Sequence, residues 1–223
     1  MKEVKIIDHS DKKAFLLETA HQLFSENGFD ATSVRMIAEK AGMNVAMISY
    51  YFGSKEKLFE ELLVGKTNYM REQLTAIVEN KDLDPWSKIE LMIDGYSDRI
   101  LTSGGSLHKL MMREVSLKQR TEISNLIEKR IMFNLKAVHE IIVEGIKKKV
   151  FVHNIDFPML MSTLIGTLTQ TVTSDSMFFR FENVDGKKHT KKIDVNEVSK
   201  RVKKHLKRVF ARYLLIHPEK YNY

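Results

Sequence analysis

An all-α protein of about nine helices is what this sequence predicts, and three observations carry the prediction. Only three prolines and ten glycines punctuate 223 residues. Apolar residues recur at helical spacing through most of the chain, and no sustained alternating run of strand type occurs. At 43% hydrophobic, the chain can bury one large core or two modest ones. The absence of cysteine rules out disulfides, thiolate metal sites and cysteine nucleophiles, and fits a reducing, cytoplasmic setting. The opening stretch MKEVKIIDHSDKK has no apolar core of the secretory type.

The elements can be justified in order. Leu16, Ala20, Leu23 and Phe24 fall on one face of a first helix that Gly28 stops. Ser33 is the expected N-cap of a second, with Ile37, Ala38 and Ala41 inward and Gly42 supplying the left-handed turn residue. Asn44 caps a third that ends near Gly53 and is barely two turns long. Ser54 caps a long fourth, with Glu56 in the first turn where the helix dipole favours an acid. Further helices are expected from Asp84-Pro85, from about Ser106, from about Thr121, from Asp156-Phe157-Pro158, and from about Asp194. Residues 175–193 form the best loop candidate. The longest uncharged run, Phe157 to Ser174, is rich in Ser, Thr and Gln, so it reads as a buried helix and no membrane span.

Two short helices joined by a glycine turn and preceded by another helix make a helix-turn-helix, whose second member enters a DNA major groove. On the third helix Ile48 and Phe52, four apart, face inward, and Val45, Ala46 and Ser49 share the opposite face. Small side chains there let the backbone approach base edges. Tyr50, Tyr51 and Lys55 lie beyond them, where hydroxyls and an ammonium reach phosphates. The structural alternative makes Tyr50 or Tyr51 a core aromatic.

The segment LLETAHQLFSENGFDATSVRMIAEKAGMNVAMISYYFGSKEKLFEELL resembles the DNA-binding domain of the TetR family of bacterial transcriptional regulators. Its Gly-Phe turn, Ile-Ala pair, Ala-Gly turn, Tyr-Phe run and Ser-Lys occur in the family's order. The resemblance implies a DNA-binding domain over 1–55 and a helical effector-binding and dimerisation domain over 56–223. It also implies that the protein regulates transcription, as a repressor that a small molecule releases from a palindromic operator on double-stranded DNA. Carried onto this sequence, it puts Val45, Ala46 and Ser49 near bases, and Ser33, Tyr50, Tyr51 and Lys55 near phosphates. Arg35 is within reach of either, and Asn44 stands at the head of the recognition helix. The chain departs from the family's frequent residues at Asn44, Ala46, Ser49 and Tyr51.

In the last helix Val198, Val202, Leu206, Val209 and Tyr213 form one apolar stripe, and the helix before it adds Leu160, Leu164 and Leu168. Two such helices from each of two copies would make a four-helix bundle, so a homodimer is expected. The same residues also serve an intramolecular core. An effector pocket is implied by the resemblance, with Tyr69, Met92, Tyr96, His108, Met111, Met112, Phe133 and Gln170 as candidate lining residues.

The net charge of +7 is unevenly placed. Residues 1–60 sum to −1 and residues 187–212 to +9, so the basic excess lies far from the reading head in sequence. The competing readings are a helical partner-binding module and a helical-bundle enzyme, neither with a DNA role. An enzyme is not expected. A carboxylate-bridged metal site needs paired Glu-x-x-His segments, and the chain offers one, Glu18 to His21. No cofactor or metal is expected.

Overall fold

The computed structural model describes residues 9–102, 105–117, 121–173 and 194–220. The expected loop at 175–193 and the first seven residues of the basic segment lie outside them. Among the described residues there are nine α-helices: α1 (His9–Asn27), α2 (Val34–Lys40), α3 (Val45–Phe52), α4 (Lys55–Glu79), α5 (Pro85–Thr102), α6 (Ser106–Val115), α7 (Glu122–Lys147), α8 (Phe157–Thr173) and α9 (Val195–Leu214). A short 3₁₀ turn follows at Pro218–Lys220. None of these helices is long and apolar enough to cross a membrane.

The expected starts coincide with side-chain caps. Ser33 Oγ accepts from Met36 N (3.1 Å), Asn44 Oδ1 from Ala46 N (2.9 Å) and Ser54 Oγ from Lys57 N (3.2 Å). Asp84 Oδ1 accepts from Trp86 N, Asp156 Oδ1 from Met159 N and Asp194 Oδ1 from Asn196 N. At α7, Thr121 and Ser124 cap each other reciprocally. Each cap satisfies donors that a helix start otherwise leaves unpaired, and is worth about 1 kcal/mol.

The chain divides into two compact units. One takes in the chain up to Asn68 together with residues 110–128, and the other holds 69–109 and everything from Lys129 onward. The boundary expected between 55 and 56 therefore falls inside a larger first unit. Leu58, Phe59, Leu62 and Leu63, in the first turns of α4, are buried. Phe59 meets Phe24 and Phe29 edge-on at 5.3 Å, so the start of α4 belongs to the same core as α1.

In the second unit Trp86, Ile89 and Ile93 of α5, Ile141 of α7, Leu164 of α8 and Leu206 and Phe210 of α9 form one buried cluster. Leu160, Leu164, Leu168, Val198, Val202 and Leu206 all lie in it. These six, expected at a dimer interface, are covered by the protomer itself, because α9 packs on α5 and α8. Val209 packs against the cluster, and Tyr213 stays exposed with its hydroxyl accepting from Asp156 N at 2.9 Å. Pairs of opposite charge fix α9 on α5: Lys207 reaches Asp94 (2.8 Å), and Lys203 contacts Asp98.

Two features of α7 set its C-terminal end. Val150 N bonds to Gly145 O and Lys149 N to Ile146 O, the Schellman pattern, with Lys149 itself in the left-handed region at φ 57°. The chain then pairs with the segment after α9 in an isolated antiparallel bridge, Phe151 to Leu215. A lysine at a left-handed position costs about 1–2 kcal/mol relative to an unstrained residue. Lys149→Gly is expected to raise stability by about 1 kcal/mol, read as the denaturation midpoint at unchanged slope.

Nearby, Lys88 is buried and donates to Val78 O and Glu144 Oε2, both at 2.8 Å. Burial pushes the Glu144 carboxyl up, but bonds from Lys148 and Lys88 outweigh it and leave it below the usual glutamate range. A depressed folded value means that the stabilisation is complete above the unfolded glutamate pKa and is lost as pH falls through the folded one. Thermal melts of Glu144→Gln are therefore expected to lie below wild type at neutral pH, with the gap closing on acidification through that window.

Candidate nucleic-acid interface

Three local devices place the face that α3 offers. The first is the turn after α2, where Gly42 N bonds to Glu39 O and Met43 N to Ala38 O, with Gly42 at φ 63°. These two bonds close the helix and turn the chain within four residues. The second is burial: Ile48 and Phe52 sit in the core. The third is the exit, where Gly53 at φ 81° donates to Ser49 O and releases the chain into α4.

What remains outward is the face that the sequence anticipates. Asn44, Val45, Ala46, Ser49 and Tyr50 are exposed, Val45 at 39% and Tyr50 at 71%. The core-aromatic alternative for Tyr50 is thereby set aside. Tyr51 is half-buried and meets Tyr50 edge-on at 5.2 Å. Ser33 and Arg35 are exposed at the start of α2, in the same unit. Val45 and Ala46 carry no side-chain donor or acceptor, so the face can read thymine methyls and groove shape, with Ser49 supplying a hydroxyl.

Lys55 has a different setting from the one expected. Its ammonium donates to Phe29 O (3.0 Å) and Thr32 O (3.1 Å) and lies 4.2 Å from the centre of the Phe29 ring. Contact with a phosphate would have to compete with both carbonyls. On the other side of the same turn, Phe29 N donates to Glu114 Oε1 (3.2 Å), and Arg113 Nη2 donates to Phe24 O (2.8 Å). The α1–α2 connection is therefore held at both polar groups of Phe29. A Cβ on Gly28, at φ 96°, would come within 2.6 Å of Arg113 Nη2.

Sequence reasoning did not find Arg113 and Glu114. Their signal was an acid in the last turn of α6, where the dipole favours a cation; that placement makes sense only if the acid has a partner elsewhere. Glu18, the one Glu-x-x-His carboxylate, is bonded to Lys66 at 2.7 Å and lies 3.4 Å from His21 Nδ1.

The eight candidate ligand residues differ in burial and partners. Met92 is in the core, Tyr69 and Gln170 are exposed, and Phe133 lies under the Arg71 guanidinium at 3.9 Å. Tyr96 is bonded to Asn134, and burial pushes its hydroxyl pKa up. His108 Nε2 lies 2.7 Å from Thr169 Oγ1, and burial holds the imidazole below its ordinary value. Met111 and Met112 fall in the first unit.

The model of the family described as bacterial regulatory proteins, tetR family, matches residues 16–62. Residues 16–62 form a domain of that family. A probable HTH-type regulator of Bacillus subtilis, YttP, is 52% identical over 48 residues, covering 22% of this chain and 23% of its own length. The fatty acid metabolism regulator protein of the same organism is 23% identical over 160 residues, 71% of this chain and 80% of that one. Among solved structures, the Bacillus subtilis regulator FadR in complex with stearoyl-CoA superposes with a TM-score of 0.63 at 22% identity, covering 86% of this chain and 96% of that one. At that identity the likeness speaks for the fold. Its reach over both helical units agrees with the nine-helix order.

The two readings of Lys55 separate cleanly in an experiment. Lys55→Met is expected to lower the thermal midpoint and leave the salt slope of DNA binding unchanged, since the ammonium serves the turn. A slope lower by about 1 at unchanged stability would return Lys55 to the phosphate contacts.

Proposed function

We propose that this chain is a transcriptional repressor that binds a palindromic DNA operator as a homodimer and leaves it when a small molecule binds the second unit. The observation that carries the proposal is the outer face of α3, exposed and uncharged while Ile48 and Phe52 anchor the opposite side. Val45, Ala46 and Ser49 read bases, Arg35 contacts a base or a phosphate, and Ser33, Tyr50 and Tyr51 position the backbone. Asn44 fixes the start of the helix that enters the groove. A two-fold dimer presents two such helices about 34 Å apart, or a related spacing, matching the symmetry of a palindrome.

Release follows from differential affinity. A ligand shifts the population only if it binds more tightly to the form whose two α3 helices are misplaced for DNA. The second unit supplies an apolar interior with a few polar groups, Tyr96 and His108 among them, which suits an apolar effector with a hydrogen-bonding end. The relative in complex with stearoyl-CoA makes a long-chain acyl-CoA the first compound to try.

The test is a mobility shift on genomic fragments that the purified protein selects, at about 50 and about 200 mM salt. Binding that weakens with salt is expected, with Ser49→Ala or Arg35→Ala changing the preferred sequence. Unchanged preference in both variants would remove the base-reading role, and salt-insensitive or absent binding would favour the partner-binding module. Stearoyl-CoA is expected to dissolve the shifted band.

A further inference from the structure

The basic segment of the sequence ends in α9, and that helix carries cations in rows with a four-residue step. An inner row, Lys203 and Lys207, lies against α5, whose acids Glu90, Asp94 and Asp98 also stand four residues apart. Lys203 contacts Asp98, and Lys207 contacts Asp94 at 2.8 Å and Glu90 at 3.8 Å. Ascending numbers on one helix meet descending numbers on the other, so the two ladders run antiparallel. Both helices rise about 6 Å in four residues, which keeps cation and acid in step along the contact.

The outer row is Lys200, Lys204, Arg208 and Arg212, all exposed and with the same step. It runs opposite the buried stripe of Val198, Val202, Leu206, Phe210 and Leu214, so all four point away from the core. Among the described residues none of the four makes an ion pair. Like charges four apart destabilise a helix, so the row is kept at a cost in stability.

We propose that this outer row is the docking site for an acidic α-helix of another protein, one that carries carboxylates at four-residue spacing. Charge complementarity selects the occupant, and the protomer holds the precedent: on its inner side α9 already engages an acidic helix in this register. A lipid surface fits less well. The apolar stripe of α9 is turned inward, so the helix has nothing to insert into a bilayer. The carboxylates of Asp94 and Asp98, bonded to the neighbouring row, are 34% and 53% exposed. A broad anionic plane or a nucleic-acid duplex would meet those acids, whereas a single helix seated on the outer row avoids them.

The probe is a synthetic alanine-based peptide with glutamate at every fourth position, helical on its own at about 20 residues. Its control has the same composition with the glutamates spread around the helix. Fluorescence anisotropy with the full chain is expected to show tighter binding of the periodic peptide, weakening between about 50 and 200 mM salt. Lys204→Glu with Arg208→Glu is expected to weaken that binding about tenfold or more. The thermal midpoint of this variant should not fall, because opposite charges then stand four apart at both ends of the row. Lys129→Glu with Lys147→Glu, exposed lysines of α7, makes the same change in net charge and is expected to leave binding almost unchanged. No binding of the periodic peptide, equal binding of the two peptides, or equal loss in the two double variants would overturn the proposal. Phosphatidylserine vesicles or a random-sequence duplex that bound more tightly than the peptide, and lost that binding only in the α9 variant, would overturn it in favour of lipid or nucleic acid.

Discussion

Everything that α3 can do depends on the burial of Ile48 and Phe52. A helix of eight residues has too few internal bonds to hold itself in water, and isolated helices shorter than about 12–15 residues are marginal. Burying two such side chains contributes about 1.5–3 kcal/mol each, more than any cap at the ends of the helix. The same anchoring fixes rotation about the helix axis. With Ile48 and Phe52 inward, Val45, Ala46 and Ser49 have no choice but to face out. The turn at Gly42 and the clamp of Phe29 by Glu114 and Lys55 then hold α1 and α2 around it, so the surface proposed to meet DNA is a product of the core behind it.

Charge plays a smaller part in that surface than the overall +7 suggests. The first 60 residues sum to −1, and one of their lysines, Lys55, donates to the protein's own carbonyls. Nonspecific attraction to phosphate is therefore weak in the head, and affinity must come from a close fit, with the doubling of sites that the proposed dimer would add. Six of the seven lysines and arginines of α9 fall into two sets. Lys203 and Lys207 face the acids of α5 and fasten the helix, while Lys200, Lys204, Arg208 and Arg212 remain outside.

Much of this was legible in the sequence, for identifiable reasons. Ser33, Asn44, Ser54, Asp84, Asp156 and Asp194 mark helix starts by local chemistry, and local chemistry does not depend on the fold. Ile48 and Phe52 against Val45 and Ser49 is likewise a matter of period. The stripe from Val198 to Leu206 was legible as apolar, but periodicity says only that a face is covered and not by what. Here α5 covers it, and that information lies about a hundred residues away in the chain. The same long range hid Glu114, whose partner is the amide of Phe29, and Lys55, whose carbonyl partners belong to a turn before α2. A ligand pocket is less legible still, because methionines at helical spacing serve a core equally well: Met92 is simply buried, and Tyr69 simply exposed.

The central claim is that DNA is met by the outer face of α3 and the start of α2, and not by the cationic face of α9. Amide hydrogen exchange of the protein with and without its selected operator fragment tests it most directly. The account predicts added protection over residues 33–35 and 44–51, with the amides of α9 unchanged. Protection concentrated on residues 200–212, with α3 exchanging as it does in the free protein, would contradict it.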